Sequence, residues 1–449
     1  MEELRVLSPT AILGYGYPMQ SFQRGVAAQP QVIAVDAGST DPGPYYLGSG
    51  KSFTQRSAVK RDLRPILLAS KERDIPVLIG SAGGSGARPH LDWLWDIIME
   101  LYEEEGFRLK TAALAADIDK EAVKDALRNG LIEPCGPVPP LTESVVDSCT
   151  HLVAQMGTEP FLYALNEGYQ VIVAGRAYDP APFAAVPILA GFDPGLALHM
   201  GKILECAAIA ADPGSGADCM LGTITSDSFC LEPMNAKRAC TRRSVAAHTL
   251  YEKSNPYLLP GPGGQLNLEN TVFTAVNQRI VAVQGSRFEP MPYKVKLEGA
   301  SPAGYRSVAI AGIRDPFMLE QLDSILVAVE DQVFSQLDEV GDRKLYFRCY
   351  GRDGVMGALE PQPVIGHEVG LVIEATAATQ EQAASLCGLA RSTLLHFGYP
   401  GRISTAGNLA FPFSPSDFDG GQYFRFAVHH LMPVEDAGKR WFAMVKEVV

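Results

Sequence analysis

The chain has 449 residues, of which 47% are hydrophobic and 20% are charged, and its formal net charge is −13. This is the composition of a globular protein long enough for two or three folding units with a large core. The negative charge argues against nucleic acid and against anionic membranes as partners, because binding to phosphate groups needs a basic face.

The eight cysteines show no CxxC spacing, so the sequence predicts neither a zinc knuckle nor a thioredoxin-type redox site. We expect reduced, mostly buried thiols. The sequence does not open with a basic segment followed by an apolar run, and no stretch approaches about 18 apolar residues. We therefore expect neither a secretion signal nor a membrane span, and a cytoplasmic location.

Short apolar strands alternate with amphipathic helices through the first half of the chain. Strands that are apolar throughout are typical of a mostly parallel, doubly wound α/β sheet with helices on both faces. We expect these strands at residues 31–36, 75–80, 108–116 and 169–174. We expect the helices at residues 53–73, 91–105, 119–129, 141–167, 182–190 and 194–211.

The pattern changes after residue 257, where the segment LLPGPGG (258–264) is typical of a linker or a tight loop. Beyond it, β-rich segments are expected at 271–285, 293–298, 305–310, 345–350 and 369–375, with helices at 316–335 and 380–397. The sequence thus predicts a Rossmann-like α/β domain over residues 1–257. A smaller α+β domain is expected over residues 258–449.

The loop after the first of these strands reads DAGSTDPGP (36–44) and combines two carboxylates, two hydroxyls and two glycines. Ligands of open parallel sheets bind outside the carboxyl ends of the strands. Asp36 and Asp41 are therefore candidate catalytic acids, bases or metal ligands, and Ser39 and Thr40 are candidate substrate ligands. The alternative is a plain turn, which these residue types also favour.

The loop after the second strand, GSAGGSGARPH (80–90), leads into a helix and contains no lysine, so it is not a P-loop. Exposed backbone N–H groups at a helix start bind anions, and arginine recognises carboxylate or phosphate. His90, near the positive end of the helix dipole, is a candidate general base or hydrogen-bond donor in its neutral form. The alternative is a structural strand-to-helix turn. The candidate anion ligands are Ser81, Gly83, Gly84, Gly86 and Arg88.

Arg176 and Asp179 follow the fourth strand, three residues apart. They either pair with each other or bind a substrate carboxylate together with a metal ion or a proton. His248 lies on a predicted helix beside Tyr251 and Glu252, and it is either a catalytic residue or a structural histidine. Asp119 is expected to cap the helix that follows the third strand.

Several long segments carry a family resemblance: VIAVDAGSTDPGPYYLGSG, IGSAGGSGARPHLDW, VAGRAYDPAPFAA, SVAAHTLYEKSNPY and YPGRISTAGNLAFPFSPSD. They resemble the acyclic terpene utilisation (AtuA-like) proteins from about Val32 to Asp417. The family is named after a bacterial pathway in which branched terpenoid acids are degraded as CoA thioesters. The resemblance implies a place in such metabolism and assigns no catalytic role to any residue.

Three functions fit these features. The first is a cytoplasmic lyase, hydratase or isomerase that applies acid/base chemistry to a small carboxylate or an acyl-CoA, with CoA as part of the substrate. The second is a hydrolase dependent on a divalent metal held by Asp36, Asp41 and Asp179. The third is a non-catalytic subunit that binds a small anionic metabolite or supports a partner enzyme. The β-rich second half also predicts a homo-oligomer, because sheet edges need cover.

Overall fold

The computed structural model describes residues 2–251, 254–337, 341–362, 364–403, 405–435 and 444–448. The chain divides into one unit made of Met1–Ser301 and Phe426–Val449, and a second made of Pro302–Arg425. The division into compact units falls after Ser301. It does not test which parts of the chain fold independently, so the domain boundary expected at residues 257/258 stays a prediction.

The strands of both units vary in length from two residues to twenty. In chain order they are Leu4–Ser8 (β1), Val32–Asp36 (β2), Val77–Gly80 (β3), Thr111–Leu114 (β4), Glu133–Pro134 (β5), His151–Ala154 (β6), Val171–Ala174 (β7), Met220–Ile224 (β8), Ser228–Pro233 (β9), Leu258–Gly261 (β10), Gly264–Asn267 (β11), Val272–Ala275 (β12), Val281–Gln284 (β13), Arg287–Pro290 (β14), Lys294–Ile313 (β15), Lys344–Tyr350 (β16), Val369–Ala377 (β17), Asp417–Pro433 (β18) and Met444–Val448 (β19).

The helices lie between these strands, mostly in the first unit. They are Met19–Ala27 (α1), Pro44–Ser49 (α2), Arg56–Arg73 (α3), Arg88–Glu105 (α4), Lys120–Arg128 (α5), Glu143–Ser148 (α6), Glu159–Asn166 (α7), Ala181–Leu189 (α8), Pro194–Leu204 (α9), Arg242–Leu250 (α10), Pro316–Glu320 (α11), Leu322–Ser335 (α12) and Gln380–His396 (α13).

The large sheet of the first unit runs in the order β12-β13-β9-β8-β1-β2-β3-β7-β4-β19. Its centre, from β1 to β4, is parallel, and β8 and β19 join this centre as antiparallel neighbours. The predicted α/β fold with a mostly parallel sheet in the N-terminal half is thus confirmed, with antiparallel strands added at both sides. Because the central strands are parallel, the loops after β2, β3, β7 and β4 meet at one edge.

Both faces of this sheet are buried, as the continuously apolar strands require. In β2, Val32 and Ala34 belong to one hydrophobic cluster and Ile33 and Val35 to another, in accordance with the two-residue period of a strand. Helices α3 and α4 cover the second face, and α7, α8 and α9 contribute to the first. Five of the eight cysteines are buried. Among the described residues, no helix is both long and apolar enough to cross a membrane.

The expected helix over 141–167 is wrong in its middle, where strand β6 separates α6 from α7. Thr142 does cap α6, since its hydroxyl accepts a hydrogen bond from the backbone N–H of Val145. The four residues of β6 pair antiparallel with Leu297–Ala300 of β15. Such a distant partner leaves no periodic signal in four residues, and helical neighbours on both sides hide the strand.

The second unit is α+β, as the sequence predicts for the C-terminal part. Within it, β17 lies between β16 and the second half of β15, antiparallel to both. Helices α11, α12 and α13 bury their apolar sides against the alternate residues Leu371, Ile373 and Ala375 of β17.

Candidate functional site

Asp36 ends the apolar strand β2 with a carboxyl group that is almost completely buried, 6% exposed. Its Oδ1 atom has no hydrogen-bond partner among the described residues. Burial raises the pKa of Asp36 well above its ordinary value, and the nearby Asp179 carboxylate adds to this rise. Arg176 and the backbone N–H groups of Ala37 and Gly38 act in the opposite direction. The strand therefore presents a carboxyl group whose surroundings favour the protonated form.

Arg176, after β7, lies in the buried part of the same edge. Its Nε donates to Glu298 Oε2 at 2.7 Å, and its Nη1 donates to Asp179 Oδ1 at 2.8 Å. The Arg176 and Glu298 side chains are each 3% exposed, whereas that of Asp179 is 32% exposed. The predicted pairing of Arg176 with Asp179 is thus present, with Glu298 as a second, deeper partner.

Glu298 is fully enclosed by donors. Its Oε1 accepts from Thr40 Oγ1 at 2.9 Å and pairs with Lys296 Nζ at 2.9 Å. Burial alone would raise its pKa, but Arg176 and Lys296 together lower the pKa of Glu298 to about 2. Glu298 thus stays ionised and fixes Arg176, which leaves the partly exposed Asp179 as the carboxylate of this cluster that a ligand can reach.

The glycine-rich loop over residues 80–90 contacts Arg176. Gly86 has a φ of +69°, and a Cβ atom there would lie 2.1 Å from the backbone nitrogen of Arg176, so only glycine fits. Ser81 accepts a hydrogen bond from Arg176 Nη1 at 3.1 Å. The N–H groups of Ser81, Ala82, Gly84 and Gly86 donate to backbone carbonyls of the protein itself. Anion binding by this loop, including Gly83 and Gly84, stays a prediction.

A set of polar side chains lies close to Asp36 and Asp179. Burial raises the pKa of Tyr178, and the charges of Glu205 and Asp179 raise it further. Burial raises the pKa of the Cys206 thiol to about 12, with contributions from Glu205, Asp36 and Asp179. The charge of Asp179 thus acts on both Tyr178 and Cys206, and that of Asp36 acts on Cys206.

The loop from Asp36 to Pro44 divides into a buried and an exposed part. Thr40 is buried and donates a hydrogen bond to Glu298. Asp41 is exposed, and its backbone N–H donates to Ser39 Oγ at 3.2 Å. The bond between Ser39 and Asp41 is compatible with the turn, and the roles of Ser39, Thr40 and Asp41 at a substrate stay predictions. Of the two carboxylates in the loop, the structure places Asp36 alone in the buried cluster.

Arg88 and His90 begin helix α4 and differ in exposure. Arg88 pairs with Asp92 at 2.9 Å, and its side chain is 44% exposed. His90 is completely buried, and its Nε2 lies 3.0 Å from the carbonyl oxygen of Lys51. Burial lowers the pKa of His90 to about 4, so the neutral ring expected from the sequence is favoured by its environment.

His248 lies on helix α10 and stacks against Tyr251 with 4.8 Å between the ring centroids. Burial lowers its pKa to about 4, and the charge of Lys202 acts in the same direction. Glu252, the other expected neighbour of His248, lies outside the described residues. Asp119 caps α5 as expected, since it accepts from the N–H of Glu121 at 3.0 Å.

Among the described residues, no group of three or more His, Cys, Asp or Glu side chains is arranged to hold a metal ion. Asp36 and Asp179 instead share the environment of Arg176, and Asp41 is exposed. Sequence reasoning missed Glu298, Lys296, Tyr178, Glu205, Cys206 and Lys202. The lysine and glutamate of KVKLEG (294–299) recur every second residue, a signal that they share one face of a strand.

Comparison with known proteins gives one family. The model of the family described as "Acyclic terpene utilisation family protein AtuA" matches residues 50–215 and 227–411, which is more than half of the chain. Strand β2 and the loop from Asp36 to Pro44 lie outside the matched residues, whereas the loop of Arg88 and that of Arg176 lie within them. No curated protein and no solved structure matches the chain.

Proposed function

The chain belongs to the acyclic terpene utilisation family AtuA, and we propose that it is an acid/base enzyme of terpene catabolism. Its reaction is that of a lyase, hydratase or isomerase on a small carboxylate or an acyl-CoA. We place it in the cytoplasm, as a homo-oligomer. The observation that carries the proposal is the buried Asp36, with its raised pKa and unsatisfied Oδ1, near the partly exposed Asp179 that pairs with Arg176.

The two carboxyl groups take opposite roles because their environments differ. Asp36, whose burial favours the protonated form, is the general acid, and Asp179, paired with Arg176, is the general base. In a dehydration, Asp179 removes a proton from the carbon next to the substrate carbonyl. Asp36 gives its proton to the departing hydroxyl, which leaves as water while a carbon–carbon double bond forms. In an isomerisation, Asp36 protonates another carbon instead.

Arg176 and Glu298 are positioning residues in this scheme. Arg176 pairs with both Glu298 and Asp179. Because Glu298 offsets part of the positive charge of Arg176, Arg176 does not fully compensate the negative charge of Asp179. The hydrogen bond from Arg176 Nη1 to Asp179 Oδ1 orients the Asp179 carboxylate, so that proton transfer needs no rearrangement of the base.

The test is turnover of Asp36→Asn on a panel of branched 3-hydroxyacyl and 2-enoyl CoA thioesters and their free acids. The variant keeps the side-chain volume and removes the proton donor. We expect kcat to fall on the order of 10²-fold or more, as for loss of a general acid. Asp41→Asn, at the exposed carboxylate of the same loop, is the matched comparison, and we expect less than about a tenfold loss there. Equal losses in the two variants would contradict the assignment.

A further inference from the structure

Strand β12 forms one edge of the large sheet, and among the described residues no strand pairs with its outer side. Its inner side pairs antiparallel with β13. Where this pairing starts, the N–H of Val276 donates to the carbonyl oxygen of Ile280 at 2.9 Å. Bonded and non-bonded residue pairs alternate along an antiparallel ladder. Thr274, two residues before Val276, therefore also directs its backbone groups to β13.

The intervening residues Phe273 and Ala275 consequently direct their N–H and C=O groups away from the sheet. Within the part of the chain that the structure describes, no backbone or side-chain group bonds to them on that side. A row of unpaired backbone donors and acceptors is a template for a further β-strand. The chemistry of the edge thus asks for an extended segment as its partner.

The side chains along this edge are uncharged and face solvent. Val272 and Val276 are 49% and 56% exposed, and Thr274 and Ala275 are exposed as well. The segment VFTAV (272–276) contains no acidic or basic residue. Exposed apolar side chains beside unpaired backbone groups are typical of a protein contact surface.

Strand β16, which ends the sheet of the second unit, has a different edge. Two of its exposed side chains are the cations Lys344 and Arg348. The carbonyl oxygen of Cys349 accepts from the N–H groups of Asp353 and Gly354, so the turn after β16 lies against its end. Charged side chains and covering turns protect an edge from pairing with another chain. β12 has neither form of protection among its own residues.

The segment VFTAV is complementary to itself when a second copy runs antiparallel about Thr274. In this register Thr274 faces Thr274 of the partner subunit, and Val272 faces Val276 of the partner subunit. Phe273 and Ala275 of the partner subunit form a bonded pair that exchanges two hydrogen bonds, and the two-fold axis repeats this pair. Pairs of threonines and of β-branched side chains stabilise antiparallel strands, and no like charges meet.

We propose that β12 is the contact strand of a two-fold symmetric dimer, in which two copies of the chain join their large sheets edge to edge about Thr274. This inference rests on the homo-oligomer that is part of the proposed function, and it names the surface and the register of that assembly. A two-fold contact uses the same patch of both subunits, which the self-complementary segment provides.

Size-exclusion chromatography with light scattering tests the contact. We expect the wild type to have twice the chain mass of 48.3 kDa. Thr274→Lys places two like charges opposite each other at the axis, so we expect this variant to have the mass of a single chain. Tyr346→Lys, at an exposed residue of β16, is the matched control and should keep the dimer mass. A dimer mass in Thr274→Lys, or the loss of the dimer in both variants alike, would overturn the proposal.

A disulfide tests the register and does not depend on weakening the dimer. Opposite residues of a non-bonded pair have Cα atoms about 4.5 Å apart, which a disulfide can span. Thr274→Cys should therefore give a covalent dimer on mild oxidation, seen on a non-reducing gel and reversed by a reductant. Val272→Cys is the control, because four residues of offset along the strand separate the two copies of this residue by roughly 14 Å. Equal cross-linking of the two variants would contradict the register.

These results are separable from the proposed function. A wild type with the mass of one chain would overturn both the homo-oligomer and the contact at β12. A dimer that Thr274→Lys does not dissociate would overturn the contact alone. The acid/base assignment depends on the turnover of Asp36→Asn and is untouched by either outcome. Circular dichroism melting curves establish that each variant is folded during the mass measurement.

Discussion

Arg176 in the first unit and Arg348 in the second each pair with a glutamate on a sheet, yet the two arginines differ in their exposure to water. The Arg176 and Glu298 side chains are both 3% exposed. Arg348 is 50% exposed, and its partner Glu374, which also binds Arg306, is 11% exposed. Both members of the pair are thus removed from water in the first unit, whereas in the second unit only the glutamate is buried and the arginine is half-exposed.

The difference supports the proposed site. Desolvating two charges costs several kcal/mol per ion, and only good geometry and further hydrogen bonds offset this. Around Arg176 the chain supplies them through Ser81, Thr40 and Lys296. At the second pair, Arg348 remains half in water and Glu374 has Arg306 as a further cation, so the loss of Arg348 leaves no uncompensated buried charge. A buried ionic network with a reachable carboxylate beside it is typical of a functional site.

The largest expected effect is on stability. Arg176→Met leaves Glu298 buried with one of its cations removed, and we expect the free energy of unfolding to fall by about 3–5 kcal/mol. Arg348→Met, the matched change at the exposed pair, should cost no more than about 1 kcal/mol. Urea unfolding at pH 7 measures both values. Similar losses in the two variants would show that burial does not distinguish the pairs.

The contrast between buried and exposed charged groups also applies to the histidines, of which His90 is buried and His396 is exposed. Burial lowers the pKa of His90 from its ordinary 6.5 to about 4 in the folded protein. The folded state therefore favours the neutral ring, so this contribution to stability is complete above pH 6.5 and is lost as the pH falls towards 4. We expect the wild type to lose roughly 3 kcal/mol from this residue over that interval.

His90→Gln keeps a donor for the carbonyl of Lys51 and removes the titration. Its free energy of unfolding, measured between pH 7 and pH 4, should therefore fall less steeply than that of the wild type. His396→Gln, at an exposed histidine of α13, is the control. A slope identical to that of the wild type in His90→Gln would mean that His90 is protonated equally in the folded and unfolded states.

Much of this arrangement is predictable from the sequence, because its signals are local. The apolar strands β2, β3, β4 and β7 and the polar loops after them indicate the edge of the sheet that carries the site. The caps Asp119 and Thr142 are also local, since each accepts from a backbone N–H two or three residues on.

The rest depends on contacts between distant parts of the chain. Arg176 and Glu298 are 122 residues apart, and Thr40 and Glu298 are 258 apart. Nothing in a single sequence pairs such positions. The exposure of Arg88 and the burial of His90, two residues further on, follow from how helix α4 packs on the sheet. The loop composition alone cannot separate them.

The smallest effect is expected for a substitution of Arg88, because its side chain is exposed to solvent. Its role as a substrate ligand remains a prediction. Arg88→Lys keeps the charge and loses the two-pronged donor geometry. Since an exposed pair is worth roughly 0.2–1 kcal/mol, we expect KM to rise by less than about fivefold, with a smaller change in kcat. Steady-state kinetics on the substrate identified in the Asp36 experiment measure both. A tenfold or larger rise in KM would place Arg88 in the binding site.

We propose that Asp36 is a protonated carboxylic acid at neutral pH. The pKa of Asp36 is higher in the folded protein than in the unfolded chain. The folded state therefore loses stability as the pH rises from the unfolded pKa towards the folded one. Infrared difference spectra between the wild type and Asp36→Asn at pH 7 measure its state directly. We expect the carbonyl stretching band of a protonated carboxyl group in the wild type and its absence from the variant, together with a higher melting temperature of the variant. A carboxylate band in place of the acid band would contradict it.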